Sequence, residues 1–368
     1  MNETPLVTVI LTSYNHGQFI AEAIDSVLNQ TYGNFELIIW DDCSIDDSWK
    51  VIQSYSDERI RAFRNEQQSR GIYGINKTVR EVAKGEYIAI HHSDDVWNPE
   101  KLRLQVEFFL RDSAKKYGAC FTLVELIDEC SATTLAEDSY YSYIFNQENK
   151  TREEWLCQFV TTGNALCHPS VLLRQEVFEK CGLYRYGIPQ LGDYDLWFRL
   201  VFEFDLHIIQ SPLTRFRLLN DEKNMSSESL TSLSRMPMEA LNLYLSTLTK
   251  YKSSNQLKTL INELDIKNTQ PQFHVALMYL NFIDMQDKPC VSGYLSYIEQ
   301  NTRADFFKLR YIAELNGEIK RLIEENQVTN AELDRTNSEL LKCNKKIKNR
   351  EKEIVNLAKG IKHYQWGI

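Results

Sequence analysis

Short apolar runs alternate with amphipathic stretches through residues 6–112 of this 368-residue chain. β-Branched and aromatic runs of strand length fall at 7–12, 35–41, 60–64 and 87–91. Helical spacing predicts helices over 19–30, 47–56, 71–83 and 99–110; in the first, Ile20, Ala23, Ile24, Val27 and Leu28 recur on one face. Strands separated by crossover helices predict an α/β layer built on a parallel sheet. A further strand-like run covers 119–127. The tyrosine-rich stretch 139–150, with Tyr140, Tyr141, Tyr143 and Phe145, reads either as a mobile loop or as a hairpin whose aromatics pack inward. A second ordered block follows at 161–217, and 230–300 reads as irregularly spaced helices.

The last 55 or so residues follow a different rule. Ile312, Leu315, Ile319, Leu322, Leu333, Leu340, Cys343, Ile347, Ile354, Leu357, Ile361 and Tyr364 share one alternating three-and-four register, interrupted by Asn326, Thr329, Thr336 and Arg350. Roughly eight heptads rich in Glu, Lys and Asn, without proline, predict a coiled coil, with a single solvated helix as the competing reading. Asn326 at an a-type position would fix register or strand number. These patterns divide the chain into a domain over 1–225, a helical region over 226–305 and a coiled-coil helix over 306–368. The coil implies a homo-oligomer or docking to a helical partner.

Composition narrows the function. A net charge of −9 argues against a nucleic-acid partner bound through a broad basic face. The eight cysteines include no Cys-x-x-Cys pair, which disfavours a disulfide framework or structural zinc and suits a reducing cytoplasm. No stretch approaches the roughly 18 apolar residues of a membrane span, and no signal-like start precedes the first strand. The expected location is cytoplasmic, with attachment to the inner membrane face left open.

Chemistry gathers where the apolar runs stop. The run 87–91 ends at His91-His92-Ser93-Asp94-Asp95, placing two carboxylates at a strand end, where open α/β sheets bind ligands. Mg²⁺ commonly sits on one or two carboxylates plus substrate phosphates; a solvated acidic turn is the alternative. The first strand ends at Thr12-Ser13-Tyr14-Asn15-His16, offering hydroxyls and an aromatic ring for a planar base. At the end of the second strand stands Asp41-Asp42-Cys43-Ser44-Ile45-Asp46-Asp47. Asp46 or Asp47 can cap the next helix, whereas Asp41 and Asp42 come too early and read as spare carboxylates. Arg70-Gly71 precedes a helix with a guanidinium able to stack on or bond to a nucleotide.

These segments in order, with Gly85-Glu86-Tyr87-Ile88-Ala89 before the acidic pair, resemble the family-2 glycosyltransferases of GT-A fold, and among them are similar to bacterial spore-coat polysaccharide glycosyltransferases. The likeness spans about residues 5–220. It implies a Rossmann-like, mostly parallel sheet flanked by helices and an inverting, metal-dependent transfer of sugar from a nucleotide donor, most simply a UDP-sugar. The acceptor would be a hydroxyl of a bacterial surface glycan or its lipid-linked precursor. Carried over by position, Thr12, Tyr14, Asp42 and Arg70 would hold the uracil end, with Asp42 accepting the base N3–H. Asp94 would contact the ribose, and Asp95 would coordinate Mn²⁺ or Mg²⁺.

Gly192-Asp193-Tyr194-Asp195-Leu196-Trp197-Phe198-Arg199 resembles the family segment whose first aspartate is the general base. Glutamate usually precedes that aspartate; Gly192 stands there, as glycine does in the spore-coat relatives. Asp193 is the candidate base, Asp195 the fallback, and a helix cap the plain alternative for Asp193. The family's Arg-x-His segment resembles Arg215-Phe216-Arg217-Leu218-Leu219, but a leucine replaces the histidine, putting a histidine contribution there in doubt. His168 matches a position near the acceptor cleft and equally suits a packed core. Of His91 and His92, one should face the sheet packing, and neither has the spacing of a metal ligand. Two rivals remain: a sugar-1-phosphate nucleotidyltransferase, which lacks its basic glycine-rich loop at 12–17, and a non-catalytic scaffold built around the coil.

Overall fold

The computed structural model describes residues 4–69, 71–134, 140–219 and 230–251, with scattered positions between 253 and 277. The expected coiled coil over 306–368 and most of the helical region over 226–305 lie outside the described residues, as does Arg70. Described elements run β1 Val7–Ser13, α1 Ile20–Leu28, β2 Phe35–Asp41, α2 Ser48–Gln53, β3 Ile60–Arg64 and α3 Ile72–Lys77, which continues as a π-helical turn at Thr78–Val82. Next come β4 Tyr87–His92, β5 Val96–Trp97, α4 Lys101–Arg111, β6 Tyr117–Ile127, α5 Tyr140–Phe145 and α6 Arg152–Thr161. A 3-10 turn at His168–Ser170 leads to β7 Leu172–Arg174, α7 Glu176–Lys180, α8 Gly192–Leu200, β8 Asp205–Arg217 and α9 Leu230–Tyr251.

The eight strands form one sheet in the order β3-β2-β1-β4-β7-β6-β8-β5. The first four run parallel, as the crossover pattern requires. Beyond β4 the sheet is mixed: β7 pairs antiparallel with both β4 and β6, β6 and β8 are parallel, and β5 is antiparallel to β8. A mostly parallel sheet is thus found only in the N-terminal half. Alternation had no means of showing this, because β7 has only three residues and β5 two.

Both faces of the parallel half are covered. Val7, Val9, Leu11, Leu37, Ile39 and Ala89 share a core with Ile20, Ala23, Ile24 and Val27 of α1, Ile52 of α2, and Leu102, Val106 and Phe109 of α4. Burying each of the Val, Leu, Ile and Phe side chains contributes about 1.5–3 kcal/mol. The opposite face carries Trp40, on which α3 lies so closely that a Cβ at Gly74 would stand 2.6 Å from the Trp40 ring; only glycine lets the helix approach.

The stretch 139–150 is neither expected form. It contains α5, whose Tyr141 and Phe145 rings pack on Phe216 of β8 at centroid distances of 5.6 and 5.3 Å. Among the described residues, no helix is long and apolar enough to cross a membrane.

Candidate active site

The ends of β2, β1 and β4 lie side by side, with Ser13 opposite Asp41 and Thr12 opposite both Trp40 and His92. Backbone bonds carry the alignment past the strands: Asp42 N–H donates to Ser13 O at 2.8 Å, and Ser93 N–H to Thr12 O at 3.2 Å. Thr12, Asp42 and Asp94 are therefore brought to one sheet edge by parallel register. The turns are tight: Asn15 and Cys43 adopt φ of 52° and 67°, and Gly71 φ of 75°. Left-handed conformations in non-glycine residues store strain of about 1–3 kcal/mol each. Side chains hold them, since Asn15 N–H donates to Ser44 Oγ and Asn15 Oδ1 accepts from Ile45 N–H.

Asp41 and Asp42 are not spare. Asp41 is fully buried, accepts from Ser44 N–H at 3.0 Å and pairs with Arg64 at 3.2 Å. Asp42 is a cradle for the segment that follows β3: Oδ1 accepts from Asn65 Nδ2, Ser69 N–H and Ser69 Oγ, and Oδ2 from Ser69 and Gly71 N–H. That segment closes over Thr12, whose Cβ lies 3.7 Å from where a Gly71 Cβ would be. Tyr14, by contrast, is 40% exposed, free to offer its ring. Asp46 rather than Asp47 supplies the cap, accepting from the N–H groups of Ser48 and Gly17.

After β4 the two carboxylates part ways. Asp94 remains partly exposed, 3.8 Å from His16 Nδ1, while the same nitrogen lies 2.9 Å from Ser93 Oγ. Asp95 is 1% exposed. Its Oδ1 accepts from Arg217 N–H at 2.9 Å, and its Oδ2 is buried with no hydrogen-bond partner among the described residues. Burial, and then the charge of Asp94, push its carboxyl well above the ordinary range despite the Arg217 contact. A cation would satisfy that oxygen and offset the repulsion.

His91 is the packing histidine, buried with its ring 4.2 Å from that of Trp97. His92, whose spacing alone does not mark it as a metal ligand, turns toward the carboxylates. Ligand atoms of His92, Asp94 and Asp95 all lie within 4.8 Å of one another. A one-residue offset along β4 sends neighbouring side chains to opposite faces, and the sequence does not say which of two adjacent histidines faces the ligand. His168, left open between cleft and core, bonds both ways: its Nδ1 lies 3.1 Å from His92 Nε2, and its Nε2 lies 2.8 Å from Tyr184 Oη.

Arg217 has no role in the sequence reading. Its buried guanidinium donates to Asp94 O, Asp128 O, Ser131 Oγ and Glu22, and stacks over Phe19 at 4.6 Å. The Arg-x-His likeness at 215–219 is the sequence signal for it, and the leucine in place of the histidine leaves the arginine unchanged.

Asp193 occupies the first turn of α8, with Oδ2 accepting from Asn164 Nδ2 at 2.8 Å and Oδ1 from Tyr194 N–H at 2.7 Å. Burial raises its pKa to about 6, against the lowering pull of those two bonds. Gly192 stands where a Cβ would meet Ile72 at 3.6 Å and Tyr184 at 3.7 Å, so α8 begins beside the start of α3. Asp195, the fallback for that role, is fully buried between Arg199 at 2.7 Å and Arg185 at 2.9 Å. Glu239 of α9 accepts from the N–H groups of Gln190 and Leu191, steadying the turn before Asp193.

Residues 8–174, from β1 through β7, match the family described as Glycosyl transferase family 2. This stretch is a family-2 glycosyltransferase domain. The chain is 41% identical over 114 residues to the putative teichuronic acid biosynthesis glycosyltransferase TuaG of Bacillus subtilis, covering 30% of this chain and 45% of that protein. It is 39% identical over 108 residues to the UDP-Glc:alpha-D-GlcNAc-diphosphoundecaprenol beta-1,3-glucosyltransferase WfgD of Escherichia coli, covering 29% and 42%. The chain spans less than half the length of these curated relatives. S. aureus TarS shares the fold, with a TM-score of 0.54 at 14% identity over 83% of this chain and 53% of that one. The family-2 domain carries the strand-end site, whereas Asp193 and Arg217 lie C-terminal to the matched residues.

Proposed function

We propose that this protein is an inverting glycosyltransferase that moves a sugar from a UDP-sugar to a hydroxyl of a bacterial surface glycan or its lipid-linked precursor. The observation that carries the reading is Asp95, buried at the end of β4 in a family-2 domain with one oxygen unpartnered. WfgD, by its name, takes UDP-Glc and a diphosphoundecaprenol-linked acceptor, which supports a nucleotide-sugar donor; TuaG is named a putative teichuronic acid biosynthesis enzyme, and both names support a bacterial glycan acceptor. A lipid-linked acceptor would bring the protein to the inner membrane face as a peripheral enzyme.

In this reading Tyr14 stacks on uracil, Thr12 lines the base pocket, and Arg70 joins them in holding the uracil end. The base N3–H competes with Gly71 N–H for Asp42 Oδ2, so donor binding loosens the segment that Asp42 cradles. Asp94 meets the ribose. Asp95, with Asp94, would hold Mn²⁺ or Mg²⁺, which when bound neutralises charge on the departing diphosphate. Arg217 holds the Asp94-Asp95 turn from behind, through Asp94 O and Asp95 Oδ1. Asp193 takes the proton from the acceptor hydroxyl as it attacks the anomeric carbon opposite the diphosphate, and a single displacement inverts that centre. A carboxylate with a pKa of about 6 is mostly ionised at neutral pH yet more basic than an exposed aspartate, as a general base requires.

The test is UDP release from a panel of UDP-sugars by purified full-length protein, with and without Mn²⁺, followed by NMR of the product anomer. Release that needs Mn²⁺ and Asp95, with an inverted product, is expected. Absence of nucleotide-sugar binding, or behaviour unchanged in Asp95→Ala, would overturn the reading. Pyrophosphate release from a nucleoside triphosphate would instead establish a nucleotidyltransferase.

A further inference from the structure

A chain of three side chains runs from the acidic pair into the domain. His92 Nδ1 lies 3.7 Å from Asp95 Oδ2, its Nε2 lies 3.1 Å from His168 Nδ1, and His168 Nε2 lies 2.8 Å from Tyr184 Oη. Tyr184 is itself fixed, because its backbone N–H donates to Asn76 Oδ1 and its carbonyl accepts from Asn76 Nδ2. The chain is therefore anchored at its inner end and has its open end at the buried, unpartnered oxygen of Asp95.

We infer that His92 is a nitrogen ligand of the divalent cation held by Asp94 and Asp95, and that His168, braced by Tyr184, fixes the tautomer that makes it one. The inference rests on the proposed metal-dependent site and adds residues to it.

The argument is one of proton bookkeeping. A neutral imidazole carries one N–H, and two imidazoles joined through Nε2 and Nδ1 need one donor and one acceptor. If His92 Nε2–H donates to His168 Nδ1, His92 Nδ1 presents a lone pair to the carboxylates, and His168 Nε2–H donates to Tyr184 Oη. If the order reverses, Tyr184 O–H donates to His168, and His92 Nδ1–H points at Asp95 Oδ2. The second arrangement suits a metal-free site, the first a filled one. Either arrangement keeps both the His92–His168 and the His168–Tyr184 hydrogen bonds.

Metal-bound histidines almost always give their second N–H to an acceptor, which sets the tautomer and orients the ring. His168 Nδ1 stands where that acceptor is needed. The 3.7 Å between His92 Nδ1 and Asp95 Oδ2 is within the span of two donors on one cation with bonds of roughly 2.1 Å.

Pulsed EPR of Mn²⁺ on the full-length protein with UDP reads the ligand directly. A nitrogen coupling of imidazole type is expected in the native protein and absent in His92→Ala, while Mn²⁺ affinity by calorimetry falls about 10–100-fold. His168→Leu should weaken Mn²⁺ by a similar factor, and His168→Asn, which keeps an acceptor near Nδ1, should recover most of it. Circular dichroism melts of each variant report whether it folds. Mn²⁺ bound through Asp95 without nitrogen coupling in the native protein would overturn the inference while leaving the proposed function intact. Equal losses in folded His168→Leu and His168→Asn would overturn the positioning role. Failure of native protein to bind Mn²⁺ and UDP at all would instead remove the proposed function.

Discussion

Arg217 N–H binds one oxygen of Asp95 at 2.9 Å and leaves the other buried without a partner. A half-satisfied carboxylate beside Asp94 destabilises the metal-free fold. Its folded pKa is raised, so the cost is present above that value and is relieved as pH falls through it. Asp95→Asn should therefore raise the thermal midpoint of metal-free protein at neutral pH. Mn²⁺ should raise the midpoint of native protein and leave that of the variant unmoved, as scanning calorimetry with and without the ion will show.

Replacing the Arg217 side chain spares the backbone bond to Asp95 but removes four side-chain contacts, including that to Asp94 O. Arg217→Met should cost about 3 kcal/mol in urea unfolding. Turnover should fall along with stability, because the Asp94-Asp95 turn loses its clamp.

Asp193 and Asp195, two residues apart, should separate cleanly. Asp193→Asn is expected to lower kcat about 10²–10⁴-fold with UDP affinity unchanged. In the native protein kcat/KM should rise with pH on an acid limb near 6, where the burial-raised carboxyl of Asp193 loses its proton. Asp195→Ala should cost about 3–5 kcal/mol of stability, since it leaves Arg199 buried without its carboxylate. If Asp195→Ala folds normally and is dead, the assignment of the base is wrong.

Tyr14 and Asp42 offer a second contrast. Tyr14→Ala should weaken UDP binding by about 1–3 kcal/mol, the usual worth of a base stacked on an aromatic ring, without changing the melt, because the ring is exposed. Asp42→Asn should weaken UDP binding and lower stability together. Its new amide would face the donors of Ser69 and Gly71.

The heptad register over 306–368 gives an expectation of its own. Truncation near Asn301 should reduce the oligomeric mass seen by light scattering; an unchanged mass would rule out self-association through that segment.

The chain's pattern was sufficient for the four parallel strands: β1, β2 and β4, buried on both faces, must be mostly apolar and must stop where the sheet stops, while β3 at the edge shows only as a short run with partly exposed arginines. The same rule brought out Thr12, Asp42, Asp94 and Asp95, each lying just where an apolar run gives way to polar residues. It fell short on β5 and β7, too brief to carry a period, and on α5, whose aromatics look alike in a loop, a hairpin or a helix until Phe216 is placed beside them.

Tertiary structure alone decided what the polar residues do. Asp41 and Asp42 became loop anchors, Asp195 an ion-pair centre, and His92 rather than His91 the imidazole facing the acids. Arg217, which lies 122 residues after Asp95, became its neighbour. Periodicity reports which residues leave water, because burial acts on each position separately. Which polar partner a buried group finds depends on distances between segments far apart in the chain, and those are fixed only when the sheet brings the segments together.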